Sequence, residues 1–402
     1  MERPSGSEDQ DPKVSDGRTP DIDPGLRAAR RALPAPFLVS GLTLASFLSR
    51  VPSLQDDLGL TPATLGIVLA ALPVGVVTGL VLAGRLIPRT GSRRLLRIGL
   101  SAAAPLLPII GLAVGPLTLS TTLVLLGLCV ATMDVAMNAQ GVGVERAYGR
   151  SILVGMHAAW SVGTLLGALL GTLAIAAATP VWLHLGGIGV LVAALGLTAT
   201  QRLTIDDRAT THGRLRIALP RGPLLPLALI AFASILGEST AGQWAGIHLR
   251  DTIGAAGGQI GWGLVAHTTG MVIVRLTGDV LVGRWGRQVV IRAGALLATL
   301  GFLLLGAVPT LSASVVGFLL VGLGVGPLVP LAFAIAGRLG RTPGEGLAAV
   351  HAFGYLAFVT GPPTIGLLTD TVGLRAAFGV VALVIAVLGT RPLPTPGGGT
   401  PQ

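Results

Sequence analysis

One lysine, Lys13, one cysteine, Cys129, and one asparagine, Asn138, are all that these 402 residues hold of those three types. With Lys13 the only lysine, no Gly-Lys-Ser/Thr phosphate loop can be built, so ATP-driven work by a Walker site is excluded. One cysteine allows neither an internal disulfide nor a cysteine metal cluster, and no His-Glu-x-x-His occurs. No metal or other cofactor is expected. Charged residues make up 11% of the chain, against about 25% in soluble domains. What fills the space is apolar: 51% hydrophobic residues and a mean hydropathy of +0.78. Such a chain belongs in a lipid bilayer, and an enzymatic role has no catalytic constellation to rest on.

The formal net charge is +10, which in a soluble protein would suggest nucleic acid. Aromatic residues are only 4%, however, and the arginines are not gathered on one helix, so no nucleic-acid partner is expected. Their placement makes sense as topology. A hydrocarbon core of about 30 Å needs roughly 20 helical residues, and twelve apolar segments of about that length can be drawn. They lie at about 33–50, 63–84, 95–114, 117–143, 152–178, 181–200, 224–248, 259–283, 289–308, 311–337, 346–369 and 373–390. With the N-terminus inside, Arg50, Arg250 and Arg375 alone fall at the outer ends and Arg275 within a span; every other basic residue is cytoplasmic.

The expected organisation is a disordered cytoplasmic tail (1–31), a first bundle of six helices (32–200), a polar linker (201–222), a second bundle (223–391) and a short tail (392–402). The first apolar segment follows Arg27, Arg30 and Arg31 and reads as an uncleaved span, not a signal peptide. Both termini then lie in the cytoplasm.

The two halves echo one another. Arg89-Thr90-Gly91 with Arg93 returns 195 residues later as Arg284-Trp285-Gly286 with Arg287, and Leu58-Gly59 returns as Ile253-Gly254 at the same offset. His157 returns as His351 at an offset of 194. A period this long makes each copy a bundle of its own rather than a solenoid unit.

The loop Gly84-Arg85-Leu86-Ile87-Pro88-Arg89-Thr90-Gly91-Ser92-Arg93-Arg94 resembles the signature Gly-x-x-x-Asp-Arg-x-Gly-Arg-Arg of the major facilitator superfamily. Pro88 stands in place of the signature aspartate, and Gly283 stands there in the second copy, so the gating contact of that carboxylate is not carried over. Arg50-Val51-Pro52, Met133-Asp134-Val135-Ala136-Met137-Asn138-Ala139-Gln140-Gly141 and Val282-Gly283-Arg284-Trp285-Gly286-Arg287 resemble the bacterial YbjJ-like branch. The fourth-span stretch is also similar to the Glu-x-x-x-Asn-Pro element of the proton-coupled fucose permease group, with Asp134 at the Glu position and Ala139 replacing Pro. The resemblance covers about 32–391 and implies an all-α membrane fold of twelve helices in two pseudo-symmetric bundles. It also implies a site lined by the first, fourth, seventh and tenth spans.

A charge at mid-bilayer costs about 2.5–3.5 kcal/mol on insertion scales, so each intramembrane charge asks for a reason. Asp134 and Asn138, one turn apart in the fourth span, share a face and are the leading candidates for proton coupling or solute binding. Glu238, Gln243 and Trp244 in the seventh span, between and beside Gly237 and Gly242, offer hydrogen bonds and an aromatic platform of the kind a sugar uses. Trp160 is a second aromatic candidate. Arg275 and Asp279, again one turn apart, are read as a mutually neutralising gate pair. Arg89, Gly91, Arg284 and Gly286 mark the repeated loop, and His157 and His351 either hydrogen-bond across the contact between halves or relay a proton there. Arg50 is expected to snorkel to the interface, and Gly163, Gly167 and Gly171 to let helices approach closely.

The expected function is secondary active transport of a small polar, sugar-like solute across the bacterial cytoplasmic membrane, driven by a proton gradient, by a monomer whose partners are lipid and solute. Efflux by proton antiport and a non-transporting solute sensor are the alternatives.

Overall fold

A computed structural model describes residues 23–148, 152–203, 220–339 and 343–393. The expected tail up to residue 22, most of the expected linker and the last nine residues lie outside the described residues. Everything regular among the described residues is helical.

The chain starts earlier than the composition of its tail suggests. Asp23 caps α1 (Pro24–Ala32), its side chain accepting from the Leu26 backbone N–H at 3.0 Å, with Pro24 in the first turn. This is the Asx-Pro start signal, which averaging over 1–31 hid. The expected tail is therefore corrected: 24–32 is helix, and Ala29 and Ala32 are buried. Pro34 opens α2 (Pro34–Ser49), and Arg50 separates it from the short α3 (Val51–Asp57). There follow α4 (Pro62–Thr90), α5 (Ser92–Gly111), α6 (Pro116–Tyr148), α7 (Leu153–Ala176) and α8 (Val181–Leu191), which runs through a π-helical turn into α9 (Thr198–Gln201). Beyond the undescribed stretch come α10 (Leu224–Ile247), α11 (Trp262–Ala307), α12 (Leu311–Val325), α13 (Leu328–Leu339), α14 (Pro343–Val372) and α15 (Leu374–Gly389). Among the described residues nine helical stretches are long and apolar enough to cross a membrane.

α11 is bent at Gly286, whose φ of 77° and ψ of 160° are non-helical. Gly91, between α4 and α5, has φ 75° and ψ 149°. The repeated loop is thus repeated as backbone, in a region that side chains other than glycine's disfavour. Around the first copy, Arg93 donates to the carbonyls of Thr200 and Gln201, each at 2.9 Å, tying α5 to the carbonyl end of α9. Arg89 and Arg284 are exposed and make no ion pair among the described residues.

Helices of residues 24–201 pack mainly on each other, as do those of 224–389. Glycines set the closest approaches. Gly75 abuts the Val124 carbonyl and Gly127 that of Leu72, joining α4 to α6; 195 residues later Gly270 abuts the Leu319 carbonyl and Gly322 that of His267, joining α11 to α12. A Cβ at any of the four would collide with backbone. Gly163 and Gly167 likewise face Leu38 and Leu42 of α2, and Gly171 faces Ser49, as expected of a small-residue ridge.

Between the halves, α4 packs on α14 and α7 on α11. The close approaches gather at the end opposite the basic loops: Gly66 against Pro362 and Gly366, and Gly261 against Thr172. These two contacts are copies of each other, since Gly261 follows Gly66 by 195 residues and Gly366 follows Thr172 by 194.

Candidate functional site

The described structure encloses a cavity of about 340 Å³ between the two groups of helices. Helical spacing explains its walls. Ile235, Glu238, Ser239 and Gly242 form one stripe of α10; Leu264, His267, Thr268 and Met271 form one of α11; His351, Tyr355 and Phe358 form one of α14. α7 adds Trp160 and Thr164, and α2 adds Leu44, Ala45 and Leu48. The lining is mostly apolar, with its polar groups concentrated on the C-terminal half.

Arg275, one turn beyond Met271 on α11, is the centre of the polar network. Its Nη2 lies 3.9 Å from Glu238 Oε1, its Nη1 donates to Ser161 Oγ at 3.1 Å, and its guanidinium sits 5.0 Å from the centroid of the Trp160 ring. It therefore joins α10 to α7, one from each half, by ion pairing, hydrogen bonding and cation–π attraction at once. The expected Arg275–Asp279 pair is corrected: Asp279 is exposed and Arg275 turns towards Glu238. Helical spacing permits both partners, but only Glu238 lies on the cavity side.

Glu238, Gln243 and Trp160 line the cavity as expected. Trp244 does not: it is fully buried and its indole Nε1 has no hydrogen-bond partner. One residue of helix turns a side chain by about 100°, enough to carry Trp244 from the cavity stripe into the packing between helices. Asp134 and Asn138 also lie off the cavity wall. Asn138 Nδ2 donates to the Asp134 carbonyl oxygen at 2.9 Å and to its Oδ1 at 3.2 Å, within one helix. Their positions in the second repeat, Val329 and Phe333, do line the cavity. The cavity leans towards the C-terminal half and leaves this part of α6 aside.

His157 and His351 do not hydrogen-bond to each other. His157 meets Phe37 edge-on, with ring centroids 5.4 Å apart, and His351 stacks on Tyr355 at 4.7 Å and lines the cavity. Being repeats of one position places them in equivalent, and therefore separate, halves.

His267 and Tyr355 are site residues that the sequence analysis passed over. The spacing of His267, Met271 and Arg275, each one turn apart, was a legible stripe. Also missed was Arg250, at the end opposite the basic loops. It contacts Asp56 Oδ2 at 2.7 Å, Gln55 Oε1 at 2.7 Å and the Pro52 carbonyl at 2.6 Å, linking the halves there. Arg50 does not snorkel: it is buried and donates to the Thr179 carbonyl at 2.7 Å. Among the described residues no group of His, Cys, Asp or Glu is arranged to hold a metal ion.

The doubled architecture has a name in sequence space. The family model of the Major Facilitator Superfamily matches residues 37–224 and 227–401. The chain belongs to that superfamily. Like its relatives it is a multi-pass membrane transporter. It is 35% identical over 363 residues to an uncharacterized transporter, y4wD, of Sinorhizobium fredii, covering 89% of this chain and 96% of the relative. It is 28% identical over 378 residues to the membrane protein MosC of Rhizobium meliloti, covering 91% and 90%. The fold is similar to a point mutant of the nucleoside transporter NupG (TM-score 0.73, 14% identity, 90% of this chain and 98% of that one). It is similar also to a bacterial homolog of the human lysosomal transporter Spinster, solved inward-facing and unoccupied (TM-score 0.72, 11% identity, 91% and 96%). At such identities these two likenesses speak for the fold alone. Superfamily members act on small solutes within the membrane.

Proposed function

We propose that this superfamily member is a proton-coupled symporter that takes up a small polar, sugar-like solute by rocking two six-helix halves, about 32–200 and 223–391, around the cavity. In this reading the chain crosses the membrane twelve times: α11 crosses twice, bending at Gly286, α12 and α13 share one crossing, and α14 and α15 supply the last two. The basic loops put both termini in the cytoplasm. The conformation is then inward-facing, because the contacts between halves, from Arg250 with Asp56 to Gly66 with Gly366, gather at the outer end. The segments around Arg50, Asp134 and Arg284 support membership of the YbjJ-like branch. A proton gradient supplies the energy, no cofactor is needed, and one chain suffices.

The observation that carries the reading is that Glu238, in the wall of a cavity between the halves, faces Arg275 just beyond that wall. A carboxylate there has reason to exist if it exchanges a proton as access alternates. In this reading Glu238 carries the principal coupling role expected of Asp134, and Asp134, off the cavity wall, is kept as a second proton-exchanging group. The test is accumulation in proteoliposomes under an imposed inward proton gradient. Collapse of accumulation when the gradient is dissipated is expected; unaltered accumulation rules out proton symport.

A further inference from the structure

The ion pair at the edge of the cavity is incompletely satisfied. Among the described residues Arg275 has one hydrogen bond, to Ser161, and stands 3.9 Å from Glu238, longer than a hydrogen bond. Its side chain is 27% exposed and lies against Glu238 and Trp160, which line the cavity. Gln243 and His267 are buried in the wall, and Gln243 Oε1 and His267 Nδ1 have no hydrogen-bond partner. Both atoms are closed off within the wall, so the accessible charge beside the cavity is that of the Arg275–Glu238 pair.

We propose that the solute is a hydroxy-carboxylate, bound through Arg275, which displaces Glu238 from its ion pair and is carried inward with one proton held by Glu238. This rests on the symport reading above. The charge balance requires the exchange. Arg275 and ionised Glu238 together are neutral; adding an anion would leave a net negative charge in a largely apolar cavity, where charge is costly. A proton on Glu238 restores neutrality. In the loaded state the solute's carboxylate oxygens accept from the guanidinium N–H groups of Arg275, and a Glu238 oxygen carries a proton taken from the outer solution. On the cytoplasmic side the solute leaves, the proton leaves, and Glu238 again faces Arg275. Tyr355, stacked on His351 in the cavity wall, offers a flat surface to the carbon body.

The titratable and charged groups around the Glu238–Arg275 pair among the described residues are Arg275 and His267 on α11, His351 and Tyr355 on α14, and, beside Arg275, His157 on α7. Arg275 is the one fixed positive charge in this set, so the carboxylate is assigned to it.

The test uses the full chain in proteoliposomes with a panel of gluconate, glucuronate, lactate and mandelate, each beside its neutral primary amide, together with glucose and glucosamine. Thermal stabilisation reports binding, and uptake is measured with pH gradient and membrane potential imposed separately. At least one carboxylate should stabilise the protein and accumulate with the pH gradient, without current and without response to potential, while its amide does neither. Arg275→Gln should weaken that carboxylate by roughly tenfold or more, the value of a charge-assisted hydrogen bond. In the wild type its affinity should fall as pH rises; in Glu238→Gln it should bind with an affinity independent of pH. Accumulation of glucose or glucosamine with an inward current would overturn the carboxylate and leave symport standing. Binding of a carboxylate without pH-driven uptake would overturn the exchange and the symport reading together. If no carboxylate of the panel binds, the assignment to Arg275 falls, and symport rests on the flux measurement alone.

Discussion

Gln55 and Arg250 meet across the two halves of this transporter, with Arg250 Nη2 2.7 Å from Gln55 Oε1. They are separated by 195 residues, the period of the repeat, so they are one position in its two copies. A residue can touch its own equivalent only beside the axis that relates the copies. Arg250 adds Asp56 and the Pro52 carbonyl to this contact and so fastens the halves at the end opposite the basic loops.

Arg250→Ala should therefore release that end. The partner Asp56 is 61% exposed, so solvent screening reduces the value of the ion pair; with the charge-assisted hydrogen bonds the loss is about 1.4 kcal/mol, a tenfold shift in conformer ratio. Spin labels at Ile67→Cys and Ala256→Cys, in a Cys129→Ala background, would report it by pulsed distance measurement. A longer-distance population should grow in Arg250→Ala; an unchanged distribution would show that Arg250 does not hold the halves together.

Gly91→Ala and Gly286→Ala should destabilise by similar amounts, on the order of 1–3 kcal/mol each. Nothing lies within 4 Å of a Cβ built on Gly286, so there the penalty is purely one of backbone conformation. Thermal unfolding in detergent measures both. If Gly286→Ala leaves the midpoint unmoved, the left-handed conformation is not required.

Trp160 and Trp244 should separate by phenotype. Trp160 lines the cavity under Arg275, so Trp160→Ala should raise KM for the transported solute roughly tenfold, from loss of stacking and of cation–π support to Arg275. Trp244→Ala should instead cost about 3–5 kcal/mol of stability through the cavity it leaves in the packing, with KM little changed in the fraction that folds. Flux and unfolding measured on both variants would expose a reversal of the two.

Asp134→Asn should slow proton-driven accumulation without abolishing it, because Asp134 bonds Asn138 and stands off the cavity wall. Glu238→Gln should abolish it. Complete loss in Asp134→Asn with coupling retained in Glu238→Gln would return the principal role to Asp134. Flux in proteoliposomes at fixed pH gradient decides between them.

Much of the framework was legible because it depends on local or statistical properties of the chain. The apolar runs gave most helices to within a few residues, and the Arg-x-Gly repeat predicted two loops that share the same unusual glycine backbone. Most of the misses have one origin. Asp134, Trp244 and the Arg275–Asp279 pair were placed by position along a helix, whereas their roles depend on rotation and on which neighbour lies across a gap. Arg250 was counted as a loop charge because its partners Gln55 and Asp56 belong to the other copy. The early start of α1 is a different kind of miss, since the Asp23-Pro24 signal was present and was averaged away.

By itself the sequence determined that this chain lives in a bilayer, that it is doubled, that it lacks the residues for nucleotide-driven work, and that its loop resembles the signature of the major facilitators. Those conclusions follow from composition, length of apolar runs and short motifs, which need no knowledge of packing. Only the tertiary structure decided that Glu238 faces Arg275, that His267 and Tyr355 share their cavity, and that Arg250 closes the opposite end. Helix rotation and the pairing of α7 with α11 and α4 with α14 are set by the sum of many small contacts between distant segments, among them carbonyls lodged against glycines, and no local pattern encodes that sum.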